Sequence, residues 1–316
     1  MAALRTSSAP VALPAKRDRS GSPRRRHGRH GRWMIPWLFL APALAFFSLF
    51  KFWPSIWGVY LGLFHVRPYL GDEWVGLANF SRALTDPDVR AAVGHTVLDA
   101  AVQVAGSMLV GFLLALLLEA PARHVRFLRT AVFLPAVTAM VAVAELWHAL
   151  LYPGRYGAVN SLLGTVGLDP QPWLSSPHSS LWTVMLVQIW KHAPYDMVIF
   201  IAGLVGIDRQ LYEQASIDGA NAWQRLRAVT LPSLRPITTI VLILGMIRGL
   251  RVFTEIYVLT GGGPAGSTES IVTYVYKSTV VGNDAGYAAA ISALLLATTI
   301  VLTSVTLWWR RRREEA

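Results

Sequence analysis

The sequence of 316 residues contains no cysteine and little charge. The absence of cysteine excludes disulfides, thiolate metal ligands and cysteine nucleophiles, so a zinc site would need histidines and carboxylates alone. The eight histidines form no HExxH pair. Charged residues make up 15% of the chain and hydrophobic residues 53%, whereas soluble proteins carry about 25% charge. The composition therefore indicates a membrane protein.

The sequence also lacks the signals of an enzyme. A phosphate-binding loop needs a lysine after its second glycine, but Gly261 to Thr268 has Ser267 at that place. This stretch is better explained as a turn or docking loop. No two carboxylates are brought together in a defined way, so an acid/base pair is not found. An integral-membrane enzyme therefore has no catalytic residues to support it.

Long apolar runs dominate what is present. A helix needs about 20 apolar residues to cross a bilayer, and six segments are long enough. They predict an all-α membrane protein with six transmembrane helices. The segments are Ile35 to Leu63, Val93 to Leu118, Thr130 to Leu151, Leu181 to Val205, Ile237 to Leu259 and Tyr287 to Trp309.

The basic residues predict the orientation of these helices. Six crossings place both termini on one side, and 20 of the 29 lysines and arginines fall there, against five on the other side. Because cytoplasmic loops carry an excess of basic residues, both termini are predicted to be cytoplasmic.

Three regions follow from this topology. Residues 1–32 carry nine basic residues and no apolar periodicity, which predicts a disordered cytoplasmic tail that meets anionic lipid rather than nucleic acid. Residues 33–309 form the transmembrane domain. Residues 310–316 form a short basic C-terminal tail in the cytoplasm.

The cytoplasmic loop of residues 206–236 has helical signals of its own. Asp208 can cap a first short helix, and Gly219 then breaks it. Asn221 and Gln224 resemble a capping box that opens a second helix, which Pro232 limits. These signals predict a projecting helix-turn-helix. Short helices usually need a partner surface, and a solvated connector is the open alternative.

This loop resembles the EAA loop of binding-protein-dependent ABC importer permeases. The pattern is EAA, three residues, G, nine residues and I-x-L-P, and Gln214 and Val229 are mild departures from it. Further similarity to the sugar-importer branch, of the MalF and UgpA type, lies in two later motifs. They are Leu259 to Pro264 with Ser267-Thr268-Glu269, and Gly286 to Ala290.

The resemblance implies a division of labour among subunits. The chain would pair with a second, homologous permease subunit above two ATP-binding subunits, and an extracytoplasmic solute-binding protein would deliver the substrate. ATP and Mg²⁺ would be bound by the partner ATPase, so this chain would hold no cofactor or metal. It would be a transport subunit and not an enzyme.

The resemblance also implies that the loop transmits ATPase movement to the membrane helices. Glu213 and Asp218 would contact the ATPase cleft, Ala215 and Gly219 would permit close approach, and Pro232 would fix the exit angle. The predicted coupling residues are Glu213, Gln214, Ala215, Asp218, Gly219 and Pro232.

Polar residues inside the apolar segments predict the substrate pathway, because intramembrane charges usually face a bundle interior or a cavity. The fourth segment carries Gln188, Lys191, His192 and Tyr195 on one helical face. The fifth carries Arg248, Arg251 and Glu255, and Arg251 can pair with Glu255 one turn away. Aromatic residues that can stack on sugar rings are Trp190, Phe253 and Tyr257.

Each of these residues also has a structural explanation. Arg251 and Glu255 can form a helix contact, and Lys191 can bond backbone carbonyls. A second polar set, which forms no clear stripe, favours hydrogen bonds between helices. That set is Asp99, Gln103, Glu145 and His148.

The function that combines these expectations is import of a di- or oligosaccharide by an ATP-driven, binding-protein-dependent transporter. The cluster of Lys191, Arg248 and Arg251 leaves open an anionic sugar or glycerol phosphate derivative. An ion-coupled secondary transporter would also explain buried charge, but it gives no reason for the helix-turn-helix.

Overall fold

A computed structural model describes residues 29–67 and 71–314, and this part of the chain is predominantly helical. Its strands form one antiparallel hairpin, β1 (Phe64–His65) and β2 (Glu73–Trp74), in which Phe64 is opposite Trp74. The predicted all-α class is therefore confirmed. Residues 1–28, most of the predicted N-terminal tail, lie outside the described residues.

Most of the helices are short, and three are longer than 25 residues. In chain order they are α1 (Arg29–Phe47), α2 (Trp53–Leu61), α3 (Ala78–Thr85), α4 (Pro87–Leu118), α5 (Arg123–Val137), α6 (Met140–Leu150), α7 (Ala158–Thr165), α8 (Ser180–Val205), α9 (Arg209–Ile217), α10 (Ala222–Arg225), α11 (Leu231–Ser233), α12 (Arg235–Leu250), α13 (Thr254–Leu259), α14 (Ile271–Val280) and α15 (Ala285–Glu314). Two π-helical turns, Ser48–Phe52 and Leu226–Thr230, join α1 to α2 and α10 to α11.

The chain divides into two units, Met1–Pro54 and Ser55–Ala316. The described part of the first unit consists of α1, with Pro36 and Pro42 inside it, and the π-helical turn that follows. α1 begins at Arg29, so the last four residues of the predicted tail are helical. All the contacts discussed below lie within the second unit.

Three helical stretches in the described residues are long and apolar enough to cross a membrane: Pro36–Leu61, Pro87–Leu118 and Ala285–Trp308. Two bent pairs raise the number to five if each pair is one span. They are α5 with α6, bent by 98°, and the stretch Ala222–Ser233 with α12, bent by 64°. α8 has 26 residues but carries several polar groups.

The third predicted segment is broken rather than straight. Thr138 and Ala139 adopt extended backbone conformations between α5 and α6, which leaves carbonyls without helical partners. Lys191 of α8 supplies the missing donor, because its Nζ lies 3.2 Å from the Pro135 carbonyl and 2.8 Å from the Thr138 carbonyl. Such a break is tolerated at membrane depth only where the freed groups are satisfied inside the protein.

The fifth predicted segment is also broken, because α12 ends at Leu250 and α13 begins at Thr254. The Ser270 hydroxyl bonds the freed carbonyl of Val252 at 2.9 Å. The expectation of one continuous helix through Leu259 is therefore wrong, and every contact derived from its periodicity changes.

Three apolar clusters hold the second unit together. The largest joins α4, α8 and α12 around Met197, Phe200 and Leu234. A second packs α6, α8 and α13 around Val184, Val187 and Ile256. A third packs α14 and α15 against α3 and α4 around Ile271, Tyr287 and Ile291. α4 and α8 form the most extensive helix pair, so α8 is the central helix of the unit.

Candidate functional site

The polar face predicted on the fourth segment is present on α8, but its residues contact different neighbours. Gln188 donates through Nε2 to Asp99 Oδ1 of α4 at 3.1 Å. Lys191 bonds the two carbonyls at the α5–α6 break. Both side chains therefore join helices, which is the structural explanation weighed for Lys191.

Glu255 pairs across helices and not along its own. His192 Nε2 of α8 lies 3.6 Å from Glu255 Oε1 of α13. The predicted pair of Arg251 with Glu255 is wrong, because α12 ends before Arg251 and the spacing of a continuous helix is lost. Arg251 is exposed and has no ion pair within the described residues.

Asp196 is a buried charged residue of this region that was not among the predicted site residues. Its carboxylate on α8 is 1% exposed and lies 3.1 Å from Arg248 Nη2 of α12. The Arg248 guanidinium also lies over the Tyr195 ring, 5.9 Å from its centroid. A carboxylate inside an apolar segment is itself a signal of function, and this signal was available at Asp196.

Some polar atoms in this region have no hydrogen-bond partner. Within the described residues, they include Asp99 Oδ2, Gln103 Oε1 and Arg248 Nε. Asp99 and Gln103 are fully buried and one turn apart on α4. Because a buried polar group without a partner is costly, this region is incompletely satisfied and can accept a further partner.

The second polar set behaves partly as expected. Asp99 bonds Gln188 between helices, and His148 Nε2 of α6 lies 2.8 Å from the Leu259 carbonyl of α13. Gln103 instead bonds Ser107 on its own helix, and Glu145 is exposed.

The predicted aromatic residues occupy two separate groups. Trp190 of α8 makes an edge contact with Trp147 of α6, with ring centroids 5.5 Å apart. Phe253 belongs to a second group with Tyr257 and Tyr276. Within the described residues, no cluster of three or more His, Asp and Glu is arranged to hold a metal ion.

The loop between α8 and α12 contains the predicted helix-turn-helix. Asp208 caps α9 by accepting from the Gln210 amide at 2.9 Å. Asn221 and Gln224 form a reciprocal capping box on α10. Tyr212 of α9 and Thr230 of the π-helical turn after α10 are joined through their hydroxyls at 2.9 Å. Pro232 does not end the helical stretch that begins at Ala222. That stretch runs to Ser233, and the chain bends by 64° after it.

Gly219 ends α9 in a left-handed conformation with φ +77°. Its amide donates to the Ser216 carbonyl and the Ala220 amide donates to the Ala215 carbonyl, the pattern of a Schellman motif. A Cβ at Gly219 would meet no atom of the described residues within 4 Å. The glycine is therefore required here by backbone conformation and not by packing within the subunit.

The surface of this loop combines apolar and acidic groups. Leu211, Ile217 and Trp223 are 43%, 85% and 67% exposed. Glu213 and Asp218 are exposed beside them and make no ion pair within the described residues. Gln214 is also exposed, whereas Ala215 and Pro232 are half-buried.

A second polar cluster, which we call the outer cluster, lies at the N-terminal ends of α4 and α15. It consists of Arg82, Asp86, Tyr274, Asp284 and Tyr287. Tyr287 donates to Asp86 at 2.5 Å and Tyr274 donates to the same oxygen at 3.2 Å. Arg82 pairs with Asp284 at 2.7 Å and stacks on the Tyr287 ring, 3.9 Å from its centroid.

The outer cluster accounts for the motif Gly286 to Ala290. Tyr287 is buried and supplies the hydroxyl to Asp86, and a Cβ at Gly286 would collide with the Phe64 carbonyl. Burial alone would raise the pKa of Asp86, but hydrogen bonds from the Tyr287 hydroxyl and the Asp88 amide outweigh it and lower that pKa. Asp86 therefore holds its charge at the N-terminus of α4.

The loop from Thr260 to Ser270 is held by its own polar groups. Thr268 is buried and bonds both the Thr260 hydroxyl at 2.7 Å and the Gly263 carbonyl at 2.8 Å. Lys277 pairs with Glu269 at 2.7 Å, and Ser267 bonds Ser180 of α8 at 3.0 Å. These contacts make the loop a structural link between α8, α13 and α14.

Comparison with known proteins places this architecture in a family. Residues 96–314 match the family described as binding-protein-dependent transport system inner membrane component. The chain belongs to this family. This permease includes α8, the helix-turn-helix and the broken α12–α13 segment within the matched residues, and it is a transport subunit, not an enzyme.

Individual relatives cover most of the permease. The trehalose/maltose transport system permease protein MalF of Thermococcus litoralis is 33% identical over 261 residues, which are 82% of this chain and 88% of the relative. In a solved bacterial ABC transporter involved in import of the acidic polysaccharide alginate, one chain is 26% identical. It aligns with a TM-score of 0.79 over 90% of this chain and 99% of its own length.

A second solved relative shows such a transporter with its delivery protein. It is a bacterial alginate ABC transporter in complex with an alginate pentasaccharide-bound periplasmic protein. The aligned chain is 25% identical, with a TM-score of 0.78 over 89% of this permease and 96% of its own length.

Proposed function

We propose that this permease is the membrane subunit of an ATP-driven, binding-protein-dependent importer of a carbohydrate, a di- or oligosaccharide. The observation that carries the proposal is the family match over residues 96–314, which contain both the buried polar residues and the helix-turn-helix. The carbohydrate class is supported by the relatives, since one is named for trehalose and maltose and another for alginate.

The proposal includes six membrane crossings with both termini in the cytoplasm. α8, in the fourth predicted segment, brings the number of crossings from five to six: its 26 residues at 1.5 Å per residue span about 39 Å, more than the hydrocarbon core. Its charged groups, Lys191 and Asp196, bond carbonyls and Arg248 inside the protein. The basic residues at the start of α5 and around α9 and α10 support the orientation.

The helix-turn-helix is proposed as the coupling element that docks on one of two partner ATP-binding subunits. Exposed Leu211, Ile217 and Trp223 offer an apolar surface that is costly to leave in water. Glu213 and Asp218 add charges that can pair with basic groups of the partner. ATP and Mg²⁺ are bound by the ATPase, and a second permease subunit completes the pathway.

The substrate pathway is proposed along the accessible edge of the polar region. Tyr195 is 46% and Trp190 38% exposed, and Arg251 is exposed after the end of α12. His192, Arg248 and Glu255 line the partly buried side of the same region. Gln188 and Lys191 hold α8 against α4, α5 and α6, and we assign them to the framework of the pathway.

An anionic sugar is the second candidate substrate, and one observation favours it. Arg251 has no ion pair in the described part of the chain, and it therefore offers a cation to the pathway. Arg248, in contrast, is neutralised by Asp196. The family match leaves the ion-coupled alternative without support.

The test uses two glycines with the same local structure. Gly167 ends α7 with φ +79° and the same pair of backbone bonds as Gly219, and a Cβ there also meets nothing within 4 Å. Gly219→Trp and Gly167→Trp therefore carry a similar backbone strain, about 1–2 kcal/mol. Each variant is purified with the partner permease and ATPase subunits, and ATP hydrolysis is measured with and without sugar-loaded binding protein.

If the proposal is right, wild type and Gly167→Trp show hydrolysis that the loaded binding protein stimulates. Gly219→Trp loses this stimulation or fails to hold the ATPase, because the indole occupies the docking surface. Equal behaviour of the two variants would assign no coupling role to the loop. Transport by this chain without partners would overturn the proposal altogether.

A further inference from the structure

Three aromatic rings from α13 and α14 meet at the surface of the second unit. Phe253 and Tyr257 are stacked, with centroids 5.1 Å apart and planes inclined by 15°. Tyr276 lies 5.3 Å from Phe253 and 5.2 Å from Tyr257, and its plane makes an angle of 72° with the Tyr257 ring. The rings thus form a flat face with one wall.

These rings lie outside the apolar clusters. Ile256 and Leu259 bury one side of α13 against α6 and α8. Phe253, the N-cap of α13, and Tyr257, one turn later, face away from that core. Tyr257 is 43% exposed, and Phe253 and Tyr276 are half-buried. Three contacting rings are therefore accessible without contributing to the packing of this subunit's core.

The group also carries polar atoms at its edge. The neighbouring Tyr257 hydroxyl raises the pKa of the Tyr276 hydroxyl, and the two rings, 5.2 Å apart, each carry one hydroxyl. A pyranose ring has an apolar C–H face and hydroxyls at its rim, and aromatic residues with a polar end match both. An acyl chain would use the ring faces and leave the two tyrosine hydroxyls without a partner.

We propose that Phe253, Tyr257 and Tyr276 form a carbohydrate subsite that holds one sugar ring at the outer approach to the charged residues of α8 and α12. The assignment rests on the proposed carbohydrate function and names one place where the substrate is recognised. α13 links the two regions, because its Glu255 contacts His192 on one side while its rings face the other.

The subsite is tested in proteoliposomes that contain the complete transporter and its binding protein. Uptake of trehalose, maltose and an alginate oligosaccharide is measured at saturating loaded binding protein. The variants are Tyr257→Ala/Tyr276→Ala, which removes two rings, and Tyr257→Phe/Tyr276→Phe, which removes only the hydroxyls. Tyr156→Ala is the matched control, since Tyr156 is 93% exposed and contacts no aromatic ring in the described residues.

We expect the double alanine variant to lower the uptake rate about tenfold and the double phenylalanine variant about threefold. The control keeps the wild-type rate. Saturation-transfer NMR on the solubilised complex gives a direct readout, because irradiation of aromatic protons saturates the C–H face of a stacked sugar. This transfer is lost in the alanine variant and retained in the phenylalanine variant.

Three results would overturn the subsite, and they are distinguishable. Unchanged uptake and saturation transfer in the alanine variant remove the subsite and leave the carbohydrate function intact. Loss of co-purification with the second permease assigns the rings to a subunit interface. If the wild-type transporter imports none of the three sugars and no other mono- or oligosaccharide supplied to its binding protein, the carbohydrate function fails, and the subsite fails with it.

Discussion

The outer cluster and the polar region at membrane depth differ in how completely their groups are satisfied. In the outer cluster, Asp86 accepts from two tyrosine hydroxyls and an amide, and Arg82 is held by both Asp284 and the Tyr287 ring. At membrane depth, Asp99 Oδ2, Gln103 Oε1 and Arg248 Nε have no partner among the described residues.

We interpret the outer cluster as a structural support and the polar region at membrane depth as the part that acts in transport. A fully satisfied network is rigid and favours one arrangement of its helices, so the outer cluster fixes α3, α4, α14 and α15 at one end. An incompletely satisfied region retains binding capacity for water, a substrate hydroxyl or a second arrangement of the helices. Substitutions that leave no buried charge unpaired should therefore affect stability in the first region and transport in the second.

The largest effect is expected at Arg248, because Arg248→Ala leaves the Asp196 carboxylate, 1% exposed, without its cation. We expect a loss of about 3–5 kcal/mol in stability, seen as poor yield and early thermal unfolding. Arg251→Ala, which breaks no ion pair within the described residues, is the control and should change stability by about 0.5 kcal/mol or less.

A double variant sharpens this result. Arg248→Met/Asp196→Leu removes both charges and should recover assembly but not transport. If it also recovers transport, the pair belongs to the framework and the comparison between the two regions fails at this point.

Tyr287→Phe should have a smaller effect, confined to stability. The change removes the 2.5 Å hydrogen bond to Asp86 and should lower stability by about 1–2 kcal/mol. Thermal unfolding of the purified complex measures the loss, and uptake at 25 °C should match wild type. Tyr274→Phe, which removes the longer 3.2 Å bond, should cost less. An uptake defect at full stability would contradict a purely supporting role.

Acid should weaken the outer cluster through Asp86. Its pKa is lowered by folding, so its contribution is present above the unfolded pKa of about 3.9 and is lost as pH falls through the folded value. The melting temperature of wild type should therefore exceed that of Asp86→Asn at pH 7, and the gap should narrow below about pH 4. A gap that stays constant down to pH 3 would assign no role to the carboxylate charge.

Asp99→Asn should have the smallest effect. The amide can still accept from Gln188, and its NH₂ group can donate to Gln103 Oε1 one turn away. We expect a change in stability within about 1 kcal/mol, measured by thermal unfolding. Asp99→Ala, which can form neither of these hydrogen bonds, is measured for comparison. A strong loss in the asparagine variant would show that the carboxylate charge itself is needed.

Features that depend on neighbouring residues were predicted correctly from the sequence, whereas contacts between distant segments were not. Asp208 and the Asn221–Gln224 box act within one turn, and both caps are present as predicted. The break after Leu250 carries no proline, and it depends on Ser270 bonding the Val252 carbonyl from another segment. Because of that break, Glu255 contacts His192 and not the predicted Arg251.

The candidate site shows the same limit. Spacing on α8 correctly placed four polar residues on one helix, but it could not show that Lys191 would meet carbonyls of a broken α5–α6 segment. Asp196 could have been singled out as an intramembrane carboxylate, yet its pairing with Arg248 joins residues 52 positions apart. Such pairings are set by helix packing, which periodicity does not encode.

The 64° bend after Ser233 gives the permease the geometry of a lever. Leu234, 1% exposed, sits at the bend, where a Cβ on Gly203 of α8 would come within 2.8 Å of it, so the pivot rests directly on the backbone of the central helix. The arm of 12 residues on one side is about 18 Å long, and α12 on the other about 24 Å. With a stiff joint, a 3 Å push on the short arm therefore moves the Arg248 end of α12 by about 4 Å.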